Sequence, residues 1–86
     1  MVTESPRATA SDAGLLARAG TLRSDAELME EYARRLRATA AALDGCQAAP
    51  EWSRPTLERQ AVACSTAAQH LRTAAEALLA HARAGH

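Results

Sequence analysis

Three histidines, two cysteines and a short run of arginines are the side chains best able to do chemistry in this 86-residue chain. His70 and His81 stand on one helical face, but three turns apart, or about 16 Å at 1.5 Å per residue. A helix grips a metal most readily between residues three or four apart, and no His, Asp or Glu stands at that spacing from either histidine. His86 is the last residue of the sequence. Solvated surface histidines are the expectation, with no metal and no cofactor. Arg34, Arg35 and Arg37 follow Glu30 and Glu31, which places Glu30–Arg34 and Glu31–Arg35 in the favourable Glu-first i, i+4 order. That run reads as a salt-bridged, solvated face. A nucleic-acid surface would need net basicity and stacking aromatics, whereas ten Arg balance ten Asp plus Glu and the aromatics are one Trp and one Tyr. A Gly-rich phosphate loop and a catalytic Ser–His–Asp arrangement are both missing from the sequence, so no enzyme is expected.

The elements that carry these residues are two matched heptad ladders. The first runs Leu15, Leu22, Met29, Leu36 and Leu43, with Ala19, Ala26, Ala33 and Ala40 between them. The second reads Leu57, Ala61, Cys64, Ala68, Leu71, Ala75, Leu78 and Ala82. Spacing of 4, 3, 4, 3 marks α-helices packed along a narrow seam, small residues at one seam position and large ones at the other. The ladders mirror each other about residue 50. Leu43 falls across from Leu57, Leu36 from Cys64, Met29 from Leu71 and Leu22 from Leu78, with alanines facing alanines between. This predicts an all-α, antiparallel two-helix hairpin with a Leu/Ala seam. Composition agrees: 23 residues are Ala, the best helix former, and Phe, Ile, Asn and Lys are missing. Ala-rich, Arg-only usage of this kind points to a GC-rich bacterial genome. A hairpin of this size has a thin core, so pairing with a second hairpin into a four-helix bundle is expected.

In that register Cys46 sits near the turn and Cys64 on the seam, about 15 Å apart along the axis and beyond disulfide reach. Cys64 reads as a small core residue and Cys46 as a bystander thiol. Residues 1–10 read as a disordered N-terminal arm. The domain then covers 11–86: a helix from about 12 to 44, a bend over 45–53 and a helix from about 54 to 84. Ser24-Asp25-Ala26-Glu27 offers a second helix start, so a break near Gly20–Arg23 competes with a continuous helix. Continuity is favoured because the heptad passes through Leu22 undisturbed. Gly45 ends the first helix; Ser53 or Arg54 caps the second, with Pro55 in its first turn.

Apolar residues off the seam are the best guide to partners. Leu28 and Tyr32 lie one turn apart on the flank beside Met29 and Leu36. Val62 and Leu79 lie on the opposite flank, with Leu16 near Leu79. Trp52, the single Trp, stands at the bend, where it either plugs the end of the seam near Leu43 and Leu57 or is offered to a partner; the plug is the favoured expectation.

A Trp at the bend of an Ala/Leu hairpin, here as Trp52-Ser53-Arg54-Pro55, resembles the Trp-X-Gly family of small type VII secretion substrates. The resemblance covers about residues 11–84. The chain departs from the family pattern twice. Arg54 stands where the family has Gly, and the family's Tyr-X-X-X-Asp/Glu export signal has no counterpart, since Leu36 follows Tyr32 at that spacing. The resemblance implies a hairpin that forms a homodimer or pairs with a relative carrying the signal, with a secretion-system component or secreted effector as a further partner. A non-enzymatic interaction protein is therefore expected, in the cytoplasm or exported without a cleavable signal peptide. The alternative is a cytosolic adaptor that shields a helix of a larger protein. A metal or redox sensor built on the His and Cys residues is the least supported reading.

Overall fold

The computed structural model describes the backbone of residues 4–84 and the side chains of residues 12–84. Helix α1 runs Glu4–Ala42, helix α2 runs Ser53–Ala84, and the two pack against each other along an all-α hairpin measuring 71 × 18 × 14 Å. The described residues include no strand. Neither helix is long and apolar enough to cross a membrane.

Helix α1 starts at Glu4, about eight residues before its expected start, so residues 4–10 belong to the helix and not to an irregular arm. Two features account for this. Pro6 lies in the first turn, where a missing N–H is harmless, and Ala8, Ala10 and Ala13 are strong helix formers. Residues 1–3 of the expected arm lie outside the described residues. The helix continues through Gly20–Arg23 without a break. Its end is set by Gly45, whose φ of +77° is the left-handed conformation that closes many helices. There the Cys46 N–H donates to the Leu43 carbonyl, 3.0 Å away. Helix α2 begins with the Thr56 N–H donating to the Trp52 carbonyl at 3.1 Å. Trp52 therefore occupies the capping position expected for Ser53 or Arg54, and Pro55 sits in the first turn as expected.

The core is made of alanine. Ala19, Ala26, Ala33, Ala40, Ala61, Ala68, Ala75 and Ala82 are buried, and among the described residues no large side chain is fully buried. Every other rung of both ladders is only half-buried: Leu15, Leu22, Met29, Leu36 and Leu43 on α1, and Leu57, Cys64, Leu71 and Leu78 on α2. The sequence pattern alone places leucine and alanine equally on the seam. The structure separates them for a steric reason. Helices in contact through methyl groups come close together, toward the short end of the 8–10 Å range of axis separations. A branched four-carbon side chain does not fit between them, so the leucines are turned out to one side. Antiparallel packing brings the same side of both heptads together, so the two leucine ladders share one broad face.

The opposite face is polar and carries the cross-links. Glu30 accepts from Arg72 Nη1 at 3.1 Å and from Ser65 Oγ at 3.3 Å, and Ser65 Oγ in turn accepts from Arg37 Nη2 at 3.2 Å. These partners sit in the register the mirror-image ladders predict. One expected pair is replaced: Glu31–Arg35 forms at 3.2 Å, whereas Glu30 reaches across the hairpin to Arg72 instead of along its own helix to Arg34.

The alanine contact yields a direct test. Ala68 and Ala33 are both fully buried, while Ala38 is exposed. Ala68→Leu is expected to destabilise the hairpin by roughly 1–3 kcal/mol through overpacking, and Ala38→Leu by close to nothing. Chemical denaturation of the two variants checks this, and equal tolerance at both positions would refute the register.

Candidate functional site

Five residues stand out from the sequence as candidate partner contacts, and the structure divides them among three places. Leu28 and Tyr32 are both 58% exposed, and Leu28 lines a shallow groove with Asp25, Met29, Ala67, His70 and Leu71. That groove joins the ladders of both helices, so Leu28 and Tyr32 belong to the rim of the leucine face. Val62 is exposed on the other side, in a separate apolar depression with Pro55, Glu58, Arg59 and Ala63. Leu79 is half-buried, beyond the polar cross-links on that same side. Trp52 is at the bend, away from both. The candidates therefore do not form one surface.

Trp52 does not plug the seam: the residue is 67% exposed. With Ala40 and Ala61 buried between the helices near this end, the seam has no wide mouth to fill, and Leu43 and Leu57 already lie to one side. The bend is closed instead by backbone and charge. The Ser53 N–H donates to the Pro50 carbonyl at 3.0 Å, and Arg54 Nη1 meets Asp44 Oδ1 at 2.9 Å. The Arg54–Asp44 pair places a cation beside the carboxylate that stands at the unfavourable end of the α1 dipole. Arg54 lies in α2 with ordinary helical backbone, so this bend makes no demand for a glycine there.

The most extensive candidate surface is one that ladder reasoning assigns to the core. Nine rungs remain half-exposed along a single face, and Leu28 and Tyr32 extend it sideways. An exposed apolar strip of this length is the usual mark of a protein–protein contact. The signal was present in the sequence as alanine at every alternate rung, which sets the helices too close to enclose the larger residues. Both cysteines are free thiols, Cys46 exposed at the bend and Cys64 half-buried in the strip.

On the polar face, the Arg72 guanidinium bonded to Glu30 holds that carboxyl below its ordinary value of 4.5, with Ser65 and Arg34 acting in the same direction and partial burial opposing them. A carboxyl with a lowered folded-state pKa stabilises the fold above its unfolded pKa and loses that contribution as pH falls through the folded value. Glu30→Gln is therefore expected to melt below the wild type at pH 7. The gap should close as the pH is lowered below about 4, and thermal melts at both pH values measure it. A gap that stays constant would remove Glu30 from the set of groups holding the register.

Comparison with models of known protein families finds no match for this chain, and comparisons with curated proteins and with solved structures find none either.

Proposed function

We propose that this protein is a non-enzymatic interaction module that works by pairing its leucine face with another helical hairpin, its own copy or a relative. The observation that carries the reading is the half-exposed row of ladder residues, a core-like pattern left without a cover in the single chain. Each apolar Å² removed from water contributes about 25 cal/mol, so covering such a row is the largest stabilisation still open to so thin a domain. Pairing through this face turns the hairpin into half of a four-helix bundle.

The likeness to small type VII secretion substrates supplies the setting: a cytoplasmic chain that is exported folded, without a cleavable signal peptide, or that accompanies an exported partner. Trp52 stands where that family keeps its bend Trp, and its exposure suits a residue that is read by another protein. The second reading, an adaptor that shields a helix of a larger protein, draws on a different observation. Val62 and its depression lie outside the leucine face and remain open after that face is covered.

Light scattering is expected to report a dimer or heterodimer at micromolar concentration. Leu28→Glu or Tyr32→Glu should weaken assembly while leaving the helical content intact, because each puts a charge on the rim without touching the alanine core. Unchanged mass after both substitutions would refute the choice of face. In the native cell, recovery of the chain from culture fluid supports the secretion reading, whereas retention with a larger protein in stoichiometric amount supports the adaptor.

A further inference from the structure

We infer that the polar side of the hairpin carries a docking groove for an acidic amphipathic helix of a partner protein. The groove is centred on Val62, which seats an aliphatic residue of the partner, and Arg34 and Arg37 meet the partner's carboxylates. This deepens the adaptor reading above, on which it rests, by naming the surface and the chemistry of what it takes. The leucine face is not involved.

Two depressions meet at Val62. One, on the outer flank of α2, is bordered by Pro55, Arg59 and Ala63; the other lies between the helices, bordered by Arg37, Ala41 and Arg54. Val62 and Glu58 line both. Val62 is 59% exposed, and Ala41, Pro55 and Ala63 beside it are exposed as well. An apolar floor open to water along a helical groove is the shape that an amphipathic helix fills.

Charge says which kind of helix. Arg34, Arg37, Arg54 and Arg59 stand around this floor against Asp44 and Glu58, a local positive surplus on a chain whose net charge is zero. The pairings leave that surplus open. Arg54 is taken by Asp44 at 2.9 Å. Glu30 bonds Arg72 across the hairpin and Glu31 bonds Arg35, so Arg34 has no hydrogen-bonded carboxylate among the described residues. Arg37 and Arg59 donate to hydroxyls, those of Ser65 and Thr56, each at 3.2 Å. A guanidinium bonds a carboxylate about twice as strongly as a neutral acceptor. Three of the four arginines therefore lack their best partner.

Spacing supplies the register. The bonds across the hairpin set Arg37 level with Ser65 and Glu30 level with Arg72, which puts Arg34 level with Ala68. Arg37 thus lies about 4.5 Å and Arg34 about 9 Å beyond Val62 along the axis, at 1.5 Å per residue. Residues three or four and seven positions from an anchor share its helical face. A docked helix with its anchor on Val62 brings carboxylates at those positions to the two guanidinium groups. In the other direction Glu58 stands four positions before Val62, so the partner carries no carboxylate there. A nucleic acid answers the charge but not the floor, since no aromatic residue borders the groove to stack a base.

The test uses the full chain and a fluorescein-labelled helical peptide with a leucine stripe, glutamates one and two turns after the central leucine and glutamines before it. Fluorescence anisotropy is expected to show binding that weakens as salt is raised. Val62→Asp and Arg34→Glu should each weaken it roughly tenfold or more, whereas Leu28→Glu should leave it unchanged. Val62 and Arg34 are exposed, so circular dichroism of both variants should match the wild type. Loss of binding in Leu28→Glu, with Val62→Asp unaffected, would place the peptide on the leucine face and overturn this inference. Equal binding of a peptide with lysines in place of the glutamates would overturn the role of the arginines, and equal binding with alanines in place of the leucines that of Val62. Tighter binding of a single-stranded oligonucleotide would reassign the patch to polyanions, and no binding of any probe would overturn the groove outright. The adaptor reading is tested separately. A larger protein recovered with the chain from the native cell, in amounts that neither Val62→Asp nor Arg34→Glu changes, would keep that reading and overturn this site.

Discussion

Helix axes come closest where the side chains between them are smallest, and in this hairpin a row of buried alanines sets that approach from end to end. Most other features follow from it. The close approach expels the leucines to one face. It also brings the polar flank on the other face within hydrogen-bonding distance, so that a side chain as short as Ser65 reaches Glu30 on the neighbouring helix. Alanine suits this role because it gives up no rotamer freedom on burial and favours the helix in isolation. What it cannot do is bury much area. The same contact that aligns the helices therefore limits what they gain from each other.

The bend shows how a tight hairpin is closed without a hydrophobic plug. Gly45 takes the left-handed conformation that a Cβ would strain, and the chain crosses over in the ten residues between Ala42 and Ser53. Arg54 then ties the first turn of α2 back to Asp44 at the end of α1. Both groups are substantially exposed, so the pair adds little stability by itself. What it adds is a link across the bend, joining the first turn of α2 to a residue just past α1. With the closure supplied by backbone and charge, Trp52 is released from any packing duty and faces solvent.

The hairpin itself was legible because heptad spacing is a geometric signal: the 4, 3, 4, 3 pattern needs only the period of the helix to be read. The register was legible too, since the ladders mirror about a single point, and the Glu30–Arg72 and Ser65 bonds fall in that register. The division of labour between rungs was not legible from periodicity, which treats Leu36 and Ala33 as equivalent seam positions. Only the size of the alanine methyl, applied in three dimensions, says that one is enclosed and the other turned aside. Trp52 was misread for the same reason, because a plug presupposes a seam wide enough to fill. The early start of α1 was not legible because a polar terminal segment with a Pro suits an irregular arm and the first turn of a helix equally well.

These points bear on how the resemblance to Trp-X-Gly proteins should be weighed. A glycine two residues after the bend Trp would be required if the backbone there were left-handed or closely approached. Here that position is helical, and its arginine is used to brace the bend. This chain combines a bend Trp with a turn of different chemistry, its left-handed residue at Gly45 on the α1 side. A bend Trp this exposed adds little to the single chain's packing and is open to contact from outside, as the proposed function requires. The alanine seam leads to the same conclusion by a separate route. A hairpin whose helices meet through methyl groups leaves its larger apolar residues half-buried, and the exposed half of each adds stability only when another surface covers it.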